Sequence, residues 1–224
     1  MTERIKLRDR KLPIYTMGEE IFNMVTHIVG GGIGIATLVI CVLIAAGHGS
    51  VAGILTSVVF GVSMITLYTM SSIYHGLRTD MSKKVFQIID HCTIYFLIAG
   101  TYTPILVCKL APEYPLAGWG TFAVVWGLAI LATTLTAIDM KRYRAFSMIC
   151  YVGMGWSIIF SVDKCFEVLG PMGFGLILGG GILYTTGVIF YAVGKKKKYF
   201  HSIFHIFVLL GSVTQALSIM FYVV

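Results

Sequence analysis

Charge is what this sequence has least of. Of its 224 residues only 12% are Asp, Glu, Lys or Arg, against the roughly 25% of a water-soluble globular domain. That shortage excludes an ordinary soluble fold. The five cysteines include no C-x-x-C pair and sit mostly inside apolar stretches, so they read as small buried side chains. Only Cys108 and Cys165 fall near one membrane face, and spacing alone gives no ground for joining them. There is no M-G-x-x-x-[ST] start and no C-a-a-X end, so no lipid anchor is indicated. The basic opening MTERIKLRDRKLPIY leads into an apolar run too long for a signal-peptide core, which is expected to be retained as the first span.

What is present is apolar surface over the whole length: 57% hydrophobic residues and a mean hydropathy of +0.87. The expected fold is therefore an all-α integral membrane protein, a single bundle rather than an anchor on a soluble domain. A helix needs about 20 apolar residues to cross the hydrocarbon core. Seven stretches meet that length, near 18–46, 51–77, 85–108, 116–138, 145–163, 171–193 and 201–223. Residues 1–17 are then a cytoplasmic N-terminal segment and 18–224 a seven-transmembrane-helix domain.

Positively charged joints stay on the cytoplasmic side. Arg4, Lys6, Arg8, Arg10 and Lys11 precede the first span; Arg78, Lys83 and Lys84 follow the second; Lys141, Arg142 and Arg144 follow the fourth; Lys195 to Lys198 follow the sixth. Of the 17 basic residues only Lys109 and Lys164 fall in the opposite joints. The N-terminus is thus expected in the cytoplasm and the C-terminus outside, in the inner (plasma) membrane of the cell. The net charge of +7 lies in these joints, so it speaks for headgroup contact and membrane lipids as partners, not for nucleic acid. Oligomeric state has no signature here.

An ionisable side chain within a span costs on the order of 3 kcal/mol for an acid at a helix centre, so each one needs a reason. His75 precedes Arg78 by three residues, Asp90 follows Lys84 by six, and His201 and His205 follow Lys198 by three and seven. Topology alone puts all four in one cytoplasmic layer. Residues four apart share a helix face, so His201 and His205 can chelate one ion. His75 from another helix completes three histidines, with a fourth tetrahedral position for water, as at catalytic zinc. Asp90 can hold that water or take its proton, and Ser71, one turn from His75, can donate to Asp90 or to a ligand. The plainer reading is hydrogen-bonded interfacial histidines, an Asp90 paired with a lysine and a packing serine.

Glu20, Asn23 and His27 form a stripe at the same inner end of the first span, continued by Gly30, Gly31 and Gly34, so it faces the bundle and supports the site or the packing. The glycine run lacks the Lys-Ser/Thr of a phosphate-cradling loop. His91 points about 100° away from Asp90 and is a weaker candidate. His48 lies in an outer joint.

Glu20-Ile21-Phe22-Asn23 with His27, Ser71-Ser72-Ile73-Tyr74-His75, Asp90-His91 and His201-Ser202-Ile203-Phe204-His205 together resemble the hemolysin III family of bacterial membrane proteins. That family is related to the adiponectin and progestin receptors of the PAQR group and, more distantly, to alkaline ceramidases. The resemblance covers nearly the whole chain. It implies seven spans, an inside N-terminus and a zinc ion on His75, His201 and His205, with Asp90 and Ser71 beside it. It also implies lipid amide hydrolysis, haemolytic activity or membrane-lipid homeostasis. Hormone reception is not expected of a chain without a sizeable extramembrane part.

Three functions compete. A zinc-dependent hydrolase of lipid amide or ester bonds uses the open metal position beside a carboxylate. A pore-forming, cytolytic protein would use metal only as a brace, but no span carries a polar stripe along its whole length. A non-catalytic sensor of membrane state with a structural zinc leaves the same signature as the first. A rhodopsin-like protein is excluded, since the last span has no lysine. Iron or cobalt would also suit the ligand set.

Overall fold

The structure is a computed structural model that describes residues 6–78, 81–194 and 197–224; the expected topology signals at Arg4, Lys195 and Lys196 lie outside the described residues. Among the described residues all regular structure is helical. After a 3-10 turn at Leu7–Asp9 come α1 (Met17–Gly47), α2 (Val51–Gly76) and α3 (Met81–Pro104), the last prolonged by a π-helical stretch and a final turn to Glu113. Then follow α4 (Pro115–Asp139), α5 (Arg144–Gly155), a 3-10 stretch at Ser157–Ser161, α6 (Val162–Val193) and α7 (Phe200–Ser218), which ends in a π-helical turn at Ile219–Val223.

Six helical stretches are long and apolar enough to cross a membrane: Met17–Gly47, Val51–Gly76, Met81–Glu113, Pro115–Asp139, Arg144–Val193 and Phe200–Val223. The expected spans 145–163 and 171–193 both fall inside the fifth. Residues 164–169, expected as a joint, are helical instead, and the helix is interrupted only at Gly170, whose φ of 69° and ψ of 172° lie outside the helical region and are followed by Pro171. Glycine adopts that backbone without a steric penalty, and proline cannot donate to the preceding turn.

The start of α1 shows how local chemistry fixes one end of the bundle. Thr16 caps the helix: its hydroxyl accepts from the Glu19 amide at 3.3 Å, and its own amide donates to Glu19 Oε2 at 2.8 Å. This reciprocal box satisfies two otherwise orphaned amides. Glu19 Oε1 also accepts from the Tyr199 amide at 2.6 Å. Tyr199 sits in the left-handed region at φ 62° just before α7, so Glu19 ties the beginning of α7, and with it His201, to the beginning of α1.

α1 lies along α2, α2 along α3, α3 along α4, and α6 along α7, which returns to α1. Close approach of α1 and α2 depends on Gly30, where a Cβ would stand 2.5 Å from the Tyr68 ring. The core is large side chains between helices, among them Phe60, Met64, Tyr68, Tyr95 and Met154. Facing outward are many big apolar groups such as Leu116 (90% exposed) and Phe160 (89%), an outer surface suited to lipid rather than water. The five cysteines are all free, Cys108 and Cys165 included.

Candidate metal centre

Two helices bring the three histidines together. His75 comes from the last turns of α2, and His201 and His205 are one turn apart at the start of α7. One ring nitrogen from each can be chosen so that all three lie within 4.8 Å of one another. The Nε2 atoms of His201 and His205 are 3.1 Å apart. Two nitrogens that each sit about 2.0–2.1 Å from one tetrahedral zinc are roughly 3.3 Å apart, so the spacing fits a shared cation. His75 and His205 are buried, at 3% and 2% exposure.

Each histidine's other nitrogen matters as much. His75 Nδ1 is 2.6 Å from Glu20 Oε2 on α1, and the ionised carboxylate accepts from it. That fixes the tautomer, leaving Nε2 with its lone pair and without a partner although it is buried. Buried polar atoms are rarely left so; a cation held at the three histidines would satisfy this one. The second oxygen of Glu20 accepts from Lys83 Nζ at 2.6 Å, and Lys83 donates to the Leu77 carbonyl at 2.9 Å. A carboxylate–histidine pair of this kind orients metal ligands and raises their basicity. Lys83, expected only as a topology signal, is 4% exposed and part of the site.

Asn23 and His27 are also at the centre. His27 stacks on His205 with ring centroids 3.8 Å apart and meets Tyr68 edge-on at 5.0 Å. Tyr68 in turn donates to Ser212 at 2.8 Å, tying α2 to α7. Both polar atoms of Asn23 and both ring nitrogens of His27 are buried and unpartnered. The α1 stripe therefore faces the histidine cluster, as its spacing suggests.

Asp90 and Ser71 both line the cavity beside the cluster, together with His27, His201 and His205. No hydrogen bond joins Ser71 to Asp90 among the described residues, so the expected direct donation is not formed. Asp90 Oδ2 lies 3.6 Å from His91 Nδ1. His91 itself is turned to the backbone: its Nδ1 meets the Gln87 carbonyl at 2.9 Å, and its own carbonyl accepts from Tyr151 at 2.8 Å. It lines the same cavity as Asp90.

Tyr15 is a neighbour that sequence reasoning passed over. It precedes the cap of α1 and stacks on His201, with centroids 5.0 Å apart and planes 14° apart, and lies 5.9 Å from His75. Burial, then Tyr191 and the carboxylates of Glu20 and Asp90, push its phenol well up from the ordinary value. It is therefore a neutral O–H donor beside the cluster at any physiological pH. Its place directly before Thr16 was the available signal, hidden in a run that otherwise reads as topology-setting charge.

The cavity holds about 650 Å³, within the range of small-ligand sites. Asp90, His91, His201 and His205 gather at one end, while Leu97, Ile98, Val188 and Val208 make much of the deeper wall apolar, with Thr101, Thr185 and Gln215 among them. A multi-pass helical membrane protein with a three-histidine group at the polar end of an apolar cavity is the class these features define. The sequence profile of the family described as Haemolysin-III related matches residues 15–216, and the chain belongs to that family. It is 40% identical over 205 residues to Hemolysin-3 of Bacillus cereus, across 92% of each chain. It is 39% identical over 211 residues to a Hemolysin-3 homolog of Bacillus subtilis (strain 168), across 94% of this chain and 97% of the relative. A weaker similarity, 25% over 160 residues, links it to the monocyte to macrophage differentiation factor of Homo sapiens, covering 69% of this chain and 64% of that one, and supports the relationship to the PAQR group. No solved structure matches the chain.

Proposed function

We propose that the protein is a zinc-dependent hydrolase of lipid amide or ester bonds, working at the cytoplasmic leaflet of the cell's inner (plasma) membrane with membrane lipids as substrate. The observation that carries this reading is the His75–His201–His205 group beside Asp90 at the polar end of a largely apolar cavity. His75, His201 and His205 hold the metal. Bound there, zinc supplies Lewis acidity toward a carbonyl oxygen and activates water near neutral pH. Asp90 takes the proton that water gives up as its oxygen joins the acyl carbon, and returns it to the amine or alcohol that leaves as the acyl bond breaks. Ser71 orients the reacting group from the same wall of the cavity. Tyr15, neutral and stacked on His201, shields the centre from the cytoplasm. Glu20 and Lys83 keep His75 in the tautomer that leaves Nε2 free for the ion. Asn23 and His27 support His205 from α1.

We also propose that the chain crosses the membrane seven times, with its basic joints and N-terminus on the cytoplasmic side. The stretch Arg144–Val193 is 50 residues long, about 75 Å if straight, over twice the hydrocarbon thickness of about 30 Å. Two crossings with a break at Gly170-Pro171 account for it.

Metal content of the detergent-purified protein tests the site. About one zinc per chain is expected in the wild type, and none in His75→Ala or in the double change His201→Ala with His205→Ala. Intact monodispersity of both variants shows that folding is retained. Zinc that persists in either variant removes the hydrolase reading.

A further inference from the structure

The cavity has a charged mouth that the hydrolytic machinery does not use. Where the apolar wall gives way to the cytoplasmic side, it is lined by Arg10 and Lys11 of the N-terminal segment and by Lys141 and Arg144 of the joint between α4 and α5. The four cations come from two segments far apart in sequence that meet at this opening, Arg10 Nη2 lying 3.3 Å from Met140 Sδ. Asp9 is the acid that lines the mouth with them, and Arg8 lies 3.7 Å from it. Asp139, one residue before Met140, turns its carboxylate to the backbone amides of Lys141 and Arg142.

Topology signals need only reach headgroups or water, and Arg10 does more. It is half-buried and donates through Nη2 to Gln87 Oε1 on α3 at 2.7 Å, with Met140 Sδ of the α4–α5 joint 3.3 Å away. Burial pulls its guanidinium down from the ordinary value, with Tyr74 and Asp139 opposing, and it stays charged at neutral pH. The chain before it is fastened as well, since Lys84 Nζ donates to the Arg8 carbonyl. Arg144 also sits beside the Tyr191 hydroxyl, whose ring is 5.7 Å from His201. A cation fixed at the edge of a low-dielectric cavity, with guanidinium donors left over, is built to meet an anion.

We propose that the mouth formed by Arg10, Lys11, Lys141 and Arg144 is a headgroup site that selects an amphiphile with an acyl chain and a phosphate or carboxylate head. The chain lies along the apolar wall, the head meets the cations, and the bond between them is held near the histidine cluster. This rests on reading the cavity as a lipid site and adds the charge of the lipid it takes.

Binding is the test, because it does not depend on turnover. Non-hydrolysable ether probes, a monoalkyl glycerol phosphate and the matching neutral monoalkyl glycerol, are titrated into the zinc-loaded protein in a zwitterionic detergent. The anionic probe is expected to bind about tenfold more tightly, the sum of a few partly exposed ion pairs. That preference is expected to shrink with added salt and to fall below about threefold when Lys141→Gln and Arg144→Gln are combined. This pair leaves the N-terminal segment in place, and unchanged affinity for the neutral probe reports an intact fold. Arg10→Gln is expected to act in the same direction, with Arg10→Lys restoring part of the preference. Equal affinities, or a preference that survives the double variant, overturns the headgroup assignment. Displacement of the probe by inorganic phosphate at equal concentration also overturns it, since the site would then hold a free anion and no lipid. A sound preference in a protein that hydrolyses nothing removes the hydrolase reading alone.

Discussion

At the scale of single residues, Glu20 decides more than its position at a helix start suggests. Its two oxygens serve two partners from two helices, His75 and Lys83, each at 2.6 Å. Replacing it with alanine removes the acceptor that keeps the proton on Nδ1 of His75, so the tautomer with a free Nε2 loses its advantage. Glu20→Ala is expected to weaken zinc binding by about 10–100-fold, as losing such outer partners does, measured by competition with a chromogenic chelator. Glu20→Gln keeps a hydrogen-bond acceptor and should fall between. An affinity equal to wild type in both would mean that His75 is oriented by its own helix. The three-histidine group was legible in the sequence because His201 and His205 are spaced by one turn and His75 shares their depth. Glu20's bond to His75 was not, because it joins residues 55 apart and no local spacing encodes it. Lys83 and Tyr15 were hidden for another reason: charge and aromatics near a membrane surface have an ordinary explanation that satisfies the sequence without a site.

At the scale of helices, the glycines of α1 divide by face. A Cβ at Gly30 meets the Tyr68 ring at 2.5 Å, whereas at Gly32 nothing lies within 4 Å. Tyr68 is fully buried and cannot swing away without giving up its bond to Ser212. Gly30→Ala is therefore expected to destabilise by about 1–3 kcal/mol through overpacking. Because Tyr68 also touches His27, the variant should reduce zinc retention as well. Gly32→Ala should leave thermal unfolding in detergent unchanged or slightly raised. Equal thermal midpoints for the two variants would show that α1 and α2 can separate freely. The period of the stripe told the faces apart in the sequence. The helix ends were harder: α3 begins at Met81 and runs on to Glu113, where a polar joint at 109–115 was expected. Tertiary packing carries the turns through Lys109, with Leu106 and Leu110 buried on either side.

Under the proposed function zinc should matter to the whole molecule as well as to chemistry, because His75, His201 and His205 join α2 to α7 and, through Glu20, to α1. A ligand that binds only the folded state raises stability by RT ln(1 + [L]/Kd). Stripping the metal with a chelator is thus expected to lower the unfolding temperature of the wild type, and to leave unchanged that of the variant combining His201→Ala and His205→Ala. A fall of equal size in both would place the effect of the chelator elsewhere than at these histidines.

The count of crossings also belongs to this scale, and hydropathy cannot decide it. The polar residues Asp163, Lys164 and Glu167 interrupt the apolar sequence enough to suggest a joint, yet the backbone through 164–169 stays helical until Gly170 turns. Parity gives the decisive difference. With two crossings in Arg144–Val193 the chain spans the membrane seven times and ends on the side opposite its N-terminus; with one crossing it ends on the same side. In a cysteine-free background, Val224→Cys is expected to react with a membrane-impermeant maleimide in intact cells, as is Lys164→Cys, while Lys141→Cys reacts only after permeabilisation. If Val224→Cys is protected together with Lys141→Cys, the long helix crosses once. Gly170-Pro171 would then be a bend within a single crossing, and the start of α7 with His201 and His205 would emerge on the face opposite His75, so that result would also contradict the histidine cluster.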